Sequence, residues 1–389
     1  MADFYIFNNG LMTANTMSGS DRRALNWSRI FLQRGHRIRV FTSESGSERF
    51  RKLGFDVFIS GSVYLKSNIG LFLIYLSRAV KSCILQLNIK HDRTDIIYSS
   101  SDLLADSLPA VFMKLKNPSL RLVIGMHLIA PNPLKGFKKS HTKHIKLPSL
   151  ANLYYFISQR ALLFVLKKIN ALVLVSNHID RDFLLKKGFQ QSKVLVTYGA
   201  CDACFKETAI REPKLYDAIY IGRFHEQKGF PDLLKVWKQV TEKLPAAKLI
   251  VLGEDIAAGD IRSFIQRNKL EGNINFLGFM DGQQKYGYIK SAKICIFPSY
   301  YESFGMVALE AMSCGVPVVA YDLPVYRQIY TNGMARAPIG DINEMAKIAF
   351  GLITDEQKRA RLSDEALIMS RHFSWKITAA EVLKNLGMT

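Results

Sequence analysis

Two glutamates, Glu302 and Glu310, stand eight residues apart in the stretch FPSYYESFGMVALEAMSCGVPVVAYD. The glycines and the proline around the apolar segment predict a helix over residues 306–314, with Ser303 and Gly305 at its capping positions. The first N–H groups of such a helix lack intrahelical partners and, with the helix dipole, favour a phosphate. Carboxylates repel a phosphate, so we expect the glutamates to bind sugar hydroxyls, which donate hydrogen bonds. The alternative is a capped surface helix with two solvated acids.

The spacing Glu302-x7-Glu310, embedded in ESFGMVALEAMSCGVPVVA, resembles the donor-site signature of the retaining glycosyltransferases of family 4, which have the GT-B fold. The resemblance implies that Glu302 contacts the donor sugar and that Glu310 contacts the nucleotide ribose. It places the donor diphosphate at the start of the helix, on Gly305 and its neighbours Ser303, Phe304 and Met306.

A second group of candidate residues lies in YIGRFHEQKGFPDLLKVW, where Arg223 and Lys228 occupy a loop between a predicted strand and a predicted helix. An arginine can hold a diphosphate bidentately, and a lysine supplies a point charge. This R-x4-K pattern is also a signature of the resembling family. The loop that begins at Gly278 and Phe279 would frame the nucleotide base. A departing nucleoside diphosphate gains negative charge, which we expect Arg223, Lys228 and the helix start near Gly305 to stabilise.

His127 and Gly19 are the candidate residues in the first half of the chain. The predicted strand 121–125 leads into MHLIAPNP, which places His127 at a strand's carboxyl end, where open α/β sheets build their sites. The resemblance implies that this histidine lies beside the donor sugar, whereas a purely structural histidine is the alternative. In SGSDRRALNW, a turn at Ser18 and Gly19 precedes a helix, where the family has a GG-x-D/E pair; Asp21 fills the acidic position.

Metal ions and cofactors are not expected. No DxD pair suited to a divalent ion occurs near the candidate residues, so we expect cationic side chains to take the place of a metal and activity to survive chelation. The nucleotide sugar would be a substrate. The spacing Cys201-x2-Cys204 is half of a zinc site, but no second pair follows, and the five cysteines indicate reduced thiols.

Retention of the anomeric configuration allows two mechanisms. A covalent intermediate needs a carboxylate beneath the anomeric carbon, and Glu302 is the candidate. Same-face attack, assisted by the leaving phosphate, needs none. Because the resemblance assigns Glu302 to hydroxyl binding, we favour same-face attack.

Length and charge predict two unlike domains. A chain of 389 residues suits two domains of about 150 to 200 residues. Residues 1–206 contain 30 Lys/Arg and 12 Asp/Glu, a net charge of +18, whereas residues 207–389 contain 23 and 21, a net charge of +2. The first domain is therefore expected to meet an anionic partner.

A basic loop and an apolar segment follow one another in the first domain. Residues 135–146 contain five lysines and two histidines, and the apolar segment 147–166 comes next. This pattern is typical of insertion into an anionic membrane surface, although a core helix after a solvated loop is the alternative. No segment is long enough to span a bilayer and no signal peptide is visible, which indicates a cytoplasmic protein, peripheral on the cytosolic face of a membrane.

Strands and helices alternate in both halves, which predicts an α/β protein with two doubly wound parallel sheets facing each other across a cleft, the GT-B fold. We expect an acceptor-binding domain over residues 1–206 and a nucleotide-sugar donor domain over residues 207–370. In the resembling fold the last helix, within residues 371–389, crosses back to the first domain.

The predicted function is transfer of a hexosyl unit from a UDP- or GDP-linked sugar to a hydroxyl of a lipid or lipid-linked saccharide at a membrane surface. A soluble acceptor is one alternative. A non-catalytic membrane-binding or nucleic-acid-binding protein on the same scaffold is another, because a net charge of +20 would suit phosphate binding. No recognisable nucleic-acid module accompanies that charge, so nucleic acid is not an expected partner.

Overall fold

The computed structural model describes residues 2–10, 12, 17–62, 68–133, 150–201, 214–224, 226–253 and 259–388. The chain divides into two compact units. The first consists of Met1–Gly199 together with Trp375–Thr389, and the second of Ala200–Ser374.

The first unit is built on a parallel sheet that has seven strands in the part of the chain described. Strands and helices alternate along it: β1 (Asp3–Asn8), α1 (Gly19–Gln33), β2 (Arg37–Thr42), α2 (Glu44–Arg51), β3 (Asp56–Ile59), α3 (Asn68–Leu85), β4 (Ile96–Ser99), α4 (Leu104–Lys116), β5 (Arg121–Gly125), α5 (Leu150–Lys168), β6 (Leu172–Val175), α6 (His178–Lys186) and β7 (Val194–Val196). The strand order is β3-β2-β1-β4-β5-β6-β7, so the order reverses between β1 and β4, as in a doubly wound fold.

The second unit has the same architecture, with six parallel strands among its described residues. Its elements are β8 (Tyr216–Ile221), α7 (Phe230–Lys243), β9 (Leu249–Leu252), α8 (Gly259–Arg267), β10 (Ile274–Gly278), α9 (Gly282–Lys290), β11 (Ala292–Phe297), α10 (Met306–Ser313), β12 (Val318–Tyr321), α11 (Pro324–Ile329), β13 (Met334–Ala337), α12 (Ile342–Thr354) and α13 (Glu356–Ser370). The strand order is β10-β9-β8-β11-β12-β13. The prediction of two doubly wound parallel sheets is confirmed.

The last helix, α14 (Trp375–Asn385), belongs to the first unit although it follows the second in sequence. It packs against α1, where the indole N–H of Trp27 donates a hydrogen bond of 2.9 Å to the hydroxyl of Thr378. Both side chains are buried, so this hydrogen bond replaces the hydrogen bonds to water that the two groups lose on folding. The two ends of the chain are thereby joined in one core.

Helices α12 and α13 are separated by a single residue, since α12 ends at Thr354 and α13 begins at Glu356. Asp355, between them, has an extended backbone, and its carboxylate accepts a hydrogen bond of 2.9 Å from the N–H of Lys358. An aspartate N-cap starts a new helix there, which periodicity of apolar residues does not reveal.

Among the described residues, no helix combines the length and the apolar composition that crossing a bilayer requires.

Removal of the hydroxyl that Trp27 contacts should destabilise the first unit. Thr378→Val leaves the indole N–H buried without its acceptor, so we expect the free energy of unfolding to fall by about 1–3 kcal/mol in urea denaturation. Thr378→Ser keeps the acceptor and serves as the control. Equal stability of the valine and serine variants would show that the hydrogen bond contributes nothing.

Candidate functional site

The loop between β11 and α10 carries the first glutamate and ends at a glycine that begins the helix. Gly305 is the N-cap residue of α10 and has φ of 88°, a left-handed conformation that favours glycine. A Cβ there would lie 2.9 Å from the ring of Tyr326. The expected capping position at Ser303 is wrong: Gly305 has the N-cap place, and it offers no side chain to the first N–H groups of the helix. Those N–H groups favour an anion.

Phe304, one of the residues expected to bind the donor, is 2% exposed. Its ring packs against those of Tyr330 and Phe373, with centroid distances of 5.6 and 5.4 Å. The phenyl ring therefore anchors the loop to the core. Only the backbone of Phe304 lies near the start of α10. Ser303 and Met306, on either side of the loop's end, are half-buried.

Lys228 and Glu302 meet, although 74 residues separate them in the sequence. Lys228 ends a 3-10 turn, Glu226–Lys228, which follows β8, and Glu302 follows β11, the strand paired with β8. The ammonium nitrogen lies 2.5 Å from Oε1 of the glutamate, and the two side chains are 19% and 9% exposed. Parallel strands bring their carboxyl ends to one edge of the sheet, which explains the contact.

Two hydrogen bonds fix the two loops against each other. The side-chain amide of Gln227 donates to the backbone carbonyl of Tyr301 at 3.0 Å, and the backbone N–H of Tyr300 donates to the backbone carbonyl of Gln227 at 2.8 Å. Gly229 has φ of 66°, and a Cβ there would lie 1.9 Å from the carbonyl oxygen of Pro298. Because only glycine fits this approach, the position of Lys228 beside Glu302 depends on Gly229.

Glu310 lies on α10 and has a different cation partner. Its Oε1 accepts a hydrogen bond of 2.8 Å from the ammonium group of Lys285 and one of 3.4 Å from the hydroxyl of Tyr286, both on α9. Each side chain of the ion pair is 4% exposed, and Lys285 is also 3.8 Å from Asp281. Sequence reasoning missed Lys285, because its spacing from Asp281 indicates only a helical pair. Glu310 is therefore a buried, paired carboxylate, not the solvated acid of the alternative interpretation.

Other expected donor residues lie at the carboxyl ends of strands in the same sheet. Arg223 follows β8 and is exposed, and its carbonyl accepts a hydrogen bond of 3.0 Å from the hydroxyl of Tyr220. Gly278 ends β10 with φ of 72°, and its carbonyl accepts from the N–H of Gly253 at 3.0 Å. Phe279 follows and is 45% exposed. An exposed guanidinium and an exposed aromatic ring are thus available at this edge of the second sheet.

Tyr326 is a residue of this region that sequence reasoning missed. Its ring borders Gly305, and its buried hydroxyl has no hydrogen-bond partner among the described residues. Burial raises the pKa of the phenol well above its usual value, and the nearby charge of Glu302 adds to the effect. The phenol therefore stays protonated and can donate a hydrogen bond. No spacing in the sequence points to it, because it lies on the short helix α11.

His127 follows β5 in the first unit. Its Nδ1 lies 3.3 Å from the hydroxyl oxygen of Ser176, to which the guanidinium of Arg23 donates at 3.1 Å. Burial lowers the pKa of His127 well below its usual value, and the charge of Arg23 lowers it further. The imidazole is consequently neutral at neutral pH.

Gly19 opens helix α1, so the expected turn at this residue is wrong. Ser18 is the N-cap, its hydroxyl accepts from the N–H of Asp21 at 3.2 Å, and the carboxylate of Asp21 accepts from the N–H of Ser18 at 2.8 Å. This reciprocal capping box fixes the helix start. Asn8 also donates to the carboxylate, at 2.8 Å, so Asp21 serves the local structure.

The basic loop 135–146 lies outside the described residues, but the helix after it, α5, is described. Four large apolar residues of α5 are exposed on one face: Leu150, Leu153, Ile157 and Phe164. Helices α3 and α4 also expose apolar residues at helical spacing: Leu73, Val80 and Ile84 on α3, and Leu108, Phe112 and Leu115 on α4. We call these ten residues the apolar face of the first unit. Because Ile157 and Phe164 are 56% and 63% exposed, α5 is not a helix buried on all sides.

The part of the chain that the structure describes contains no group of three or more His, Cys, Asp or Glu residues placed to hold a metal ion.

Loss of the buried carboxylate at Glu310 should destabilise the second unit. Glu310→Ala leaves the ammonium group of Lys285 buried without its main partner, and we expect a loss of about 3–5 kcal/mol in urea denaturation. The double variant Glu310→Leu with Lys285→Met removes both charges and should recover most of that loss. If Glu310→Ala unfolds like the wild type, the ion pair contributes no stability.

Comparison with known proteins identifies relatives of this chain in sequence and in fold. Residues 205–368 match the family model described as glycosyl transferases group 1. Over 170 residues the chain is 29% identical to phosphatidyl-myo-inositol mannosyltransferase of Mycolicibacterium smegmatis, and the alignment covers 43% of each protein. The chain thus spans less than half the length of the curated relatives it matches.

Two solved structures resemble the whole chain. HepE of Anabaena, in complex with UDP and glucose, is 16% identical with a TM-score of 0.73, and all of both chains is covered. Sucrose-phosphate synthase of Thermosynechococcus elongatus is 17% identical with a TM-score of 0.76, covering 99% of this chain and 98% of that one. The resemblance predicted from the sequence is therefore confirmed: the chain has the GT-B fold, and its residues 205–368 match the glycosyl transferases of group 1.

Proposed function

We propose that this protein is a retaining glycosyltransferase. It moves a hexosyl unit from a UDP- or GDP-linked sugar to a hydroxyl of a lipid or lipid-linked saccharide at a membrane surface. The observation that carries the proposal is the contact of Lys228 with Glu302, at the strand edge of a unit that matches the glycosyl transferases of group 1. One group suits a diphosphate and the other suits sugar hydroxyls, so the pair supplies complementary halves of a nucleotide-sugar site.

In the proposed reaction the bond between the anomeric carbon and the diphosphate oxygen breaks. The acceptor oxygen forms its new bond to that carbon on the same face, and the acceptor proton passes to the leaving diphosphate. Lys228, Arg223 and the N–H groups at the start of α10 stabilise the charge that the leaving group gains. Glu302 accepts hydrogen bonds from sugar hydroxyls and forms no covalent bond.

The remaining roles follow the family resemblance. Glu310 meets the nucleotide ribose while Lys285 holds its Oε1, and the loop at Gly278 and Phe279 frames the base. His127 contributes to the binding of the donor sugar. Cationic side chains replace a metal and no cofactor takes part, so transfer should persist in the presence of a chelator.

Binding of nucleoside diphosphates separates an enzyme from a non-catalytic protein on the same scaffold. Thermal unfolding in UDP, GDP, ADP and their sugars should reveal one preferred base, since a ligand at about 100 times its dissociation constant adds about 2.7 kcal/mol. Absence of stabilisation by all of them would favour the non-catalytic alternative.

The leaving-group role of Lys228 predicts a kinetic difference between two variants. Lys228→Ala should lower turnover by about a hundredfold, because the diphosphate charge grows only in the transition state. Glu310→Ala should act mainly by weakening donor binding, measured at a temperature where the variant is folded. Lys238→Ala, on the exposed side of α7, is the matched control and should transfer like the wild type. Wild-type turnover in Lys228→Ala would contradict the assignment.

The membrane part of the proposal rests on the apolar face together with the charge of the first 206 residues. Neither α3 nor α5 contains an aspartate or a glutamate, and α5 ends with Lys167 and Lys168. Exposed apolar residues beside cations are what an anionic bilayer attracts, at about 1 kcal/mol for each basic residue near the surface. One relative is named for transfer of mannose to phosphatidyl-myo-inositol, a lipid. A soluble acceptor would not require exposed apolar residues and basic residues to be concentrated on one unit.

Two sets of variants should weaken membrane binding in different ways. Changing Lys138, Lys139, Lys143 and Lys146 to Ser should reduce sedimentation with anionic liposomes chiefly at low salt, because salt screens charge attraction. Changing Ile157 and Phe164 to Ser should reduce it at high salt as well, because insertion is apolar.

Both sets should slow transfer to a membrane acceptor and leave donor hydrolysis intact. Ile368→Ser, at an exposed apolar residue of the second unit, is the control. Unchanged liposome binding in both sets would defeat the membrane proposal, and tighter binding to duplex DNA than to liposomes at matched salt would favour the nucleic-acid alternative.

A further inference from the structure

Two buried side chains of the first unit, Arg23 and Ser176, form a chain of hydrogen bonds that ends at the half-buried His127. Arg23, on α1, is 2% exposed, and Ser176, after β6, is fully buried. The guanidinium Nη2 of Arg23 donates to the hydroxyl oxygen of Ser176 at 3.1 Å and to the carbonyl of Thr197 at 3.3 Å. The same serine oxygen lies 3.3 Å from Nδ1 of His127.

The donors and acceptors of this chain decide which nitrogen of the imidazole carries the proton. A guanidinium can only donate, so the oxygen of Ser176 accepts from Arg23. The hydroxyl hydrogen of Ser176 then points to its second neighbour, Nδ1 of His127, and Nδ1 accepts it. With a proton on Nδ1 instead, Arg23 and His127 would both donate to Ser176, and the serine hydrogen would lose the acceptor that these contacts provide. A neutral imidazole with an accepting Nδ1 carries its proton on Nε2.

The charge of Arg23 also acts on the imidazole. A second buried cation next to a guanidinium would cost free energy, and burial already disfavours the charged form. Both effects lower the pKa of His127, as noted above. Gly125 leaves room for the imidazole ring, because a Cβ at this residue would lie 2.7 Å from Nε2.

We propose that Arg23 and Ser176 are positioning residues that hold His127 as the neutral tautomer with its proton on Nε2. His127 is thereby a hydrogen-bond donor at Nε2, an atom that is buried and has no partner among the described residues. Its use in transfer rests on the proposed function: an imidazole that carries its proton on Nε2 and accepts from Ser176 at Nδ1 cannot take a proton from the acceptor hydroxyl. The tautomer itself does not depend on that function.

Nuclear magnetic resonance of the full chain, labelled with ¹⁵N-histidine, tests the tautomer directly. Comparison with His127→Gln identifies the signals of His127, and long-range ¹H–¹⁵N correlations at neutral pH distinguish a protonated Nε2 from a protonated Nδ1. We expect Nε2–H in the wild type and in Ser176→Thr, which keeps the hydroxyl. Ser176→Ala should lose this preference. A protonated Nδ1 in the wild type, or an unchanged pattern in Ser176→Ala, would overturn the proposal.

Kinetics separate failure of this inference from failure of the proposed function. Ser176→Ala should lower kcat on the order of tenfold, the effect of losing one hydrogen bond, with little change in KM for the donor, and Ser176→Thr should restore it. His127→Ala should lower transfer by orders of magnitude while nucleotide affinity and Tm stay close to those of the wild type. Wild-type transfer by His127→Ala, with Nε2–H observed in the wild-type protein, would refute the role in transfer and leave the tautomer assignment intact.

Discussion

The second unit depends on how closely the loop after β8 approaches the loop after β11. Gly229 allows the backbone to pass against the carbonyl of Pro298, and the hydrogen bonds of Gln227 hold the two loops together. This approach brings the ammonium group of Lys228 to Glu302. The two side chains are mostly buried, and each neutralises the charge of the other. The site therefore avoids the large free-energy cost of burying a charge that has no partner. A ligand that separates the pair must offer negative charge to Lys228 and hydrogen-bond donors to Glu302.

Each buried charge near the candidate sites has a defined partner of its own. Glu310 is held by Lys285, and Arg23 by the oxygens of Ser176 and Thr197. These contacts separate the roles of chemically similar groups. The side chains of the Lys228–Glu302 pair are 19% and 9% exposed, whereas both side chains of the Lys285–Glu310 pair are 4% exposed. His127, beside a fixed cation, remains neutral.

The two units differ in what they present to their surroundings. The first carries the excess of basic residues and the apolar face on α3, α4 and α5, whereas the second is close to electrically neutral and contains the region that matches the glycosyl transferases of group 1. The proposed transfer from a soluble nucleotide to a membrane-bound acceptor accords with this division, since attraction to an anionic surface acts chiefly on the basic unit.

The sequence by itself determined the elements and motifs that depend on neighbouring residues: the strand at 121–125, the helix between Glu302 and β12, the R-x4-K loop, and the alternation that implies two parallel sheets. Short spacings decide these features because helix and strand periods are local. Tertiary structure alone decided the contacts between distant residues. Lys285 reaches Glu310, and Arg23 reaches His127 through Ser176, because strand order and helix packing bring their elements together. Such pairs leave no periodic signal, since either partner could stand at many positions without changing the pattern around it.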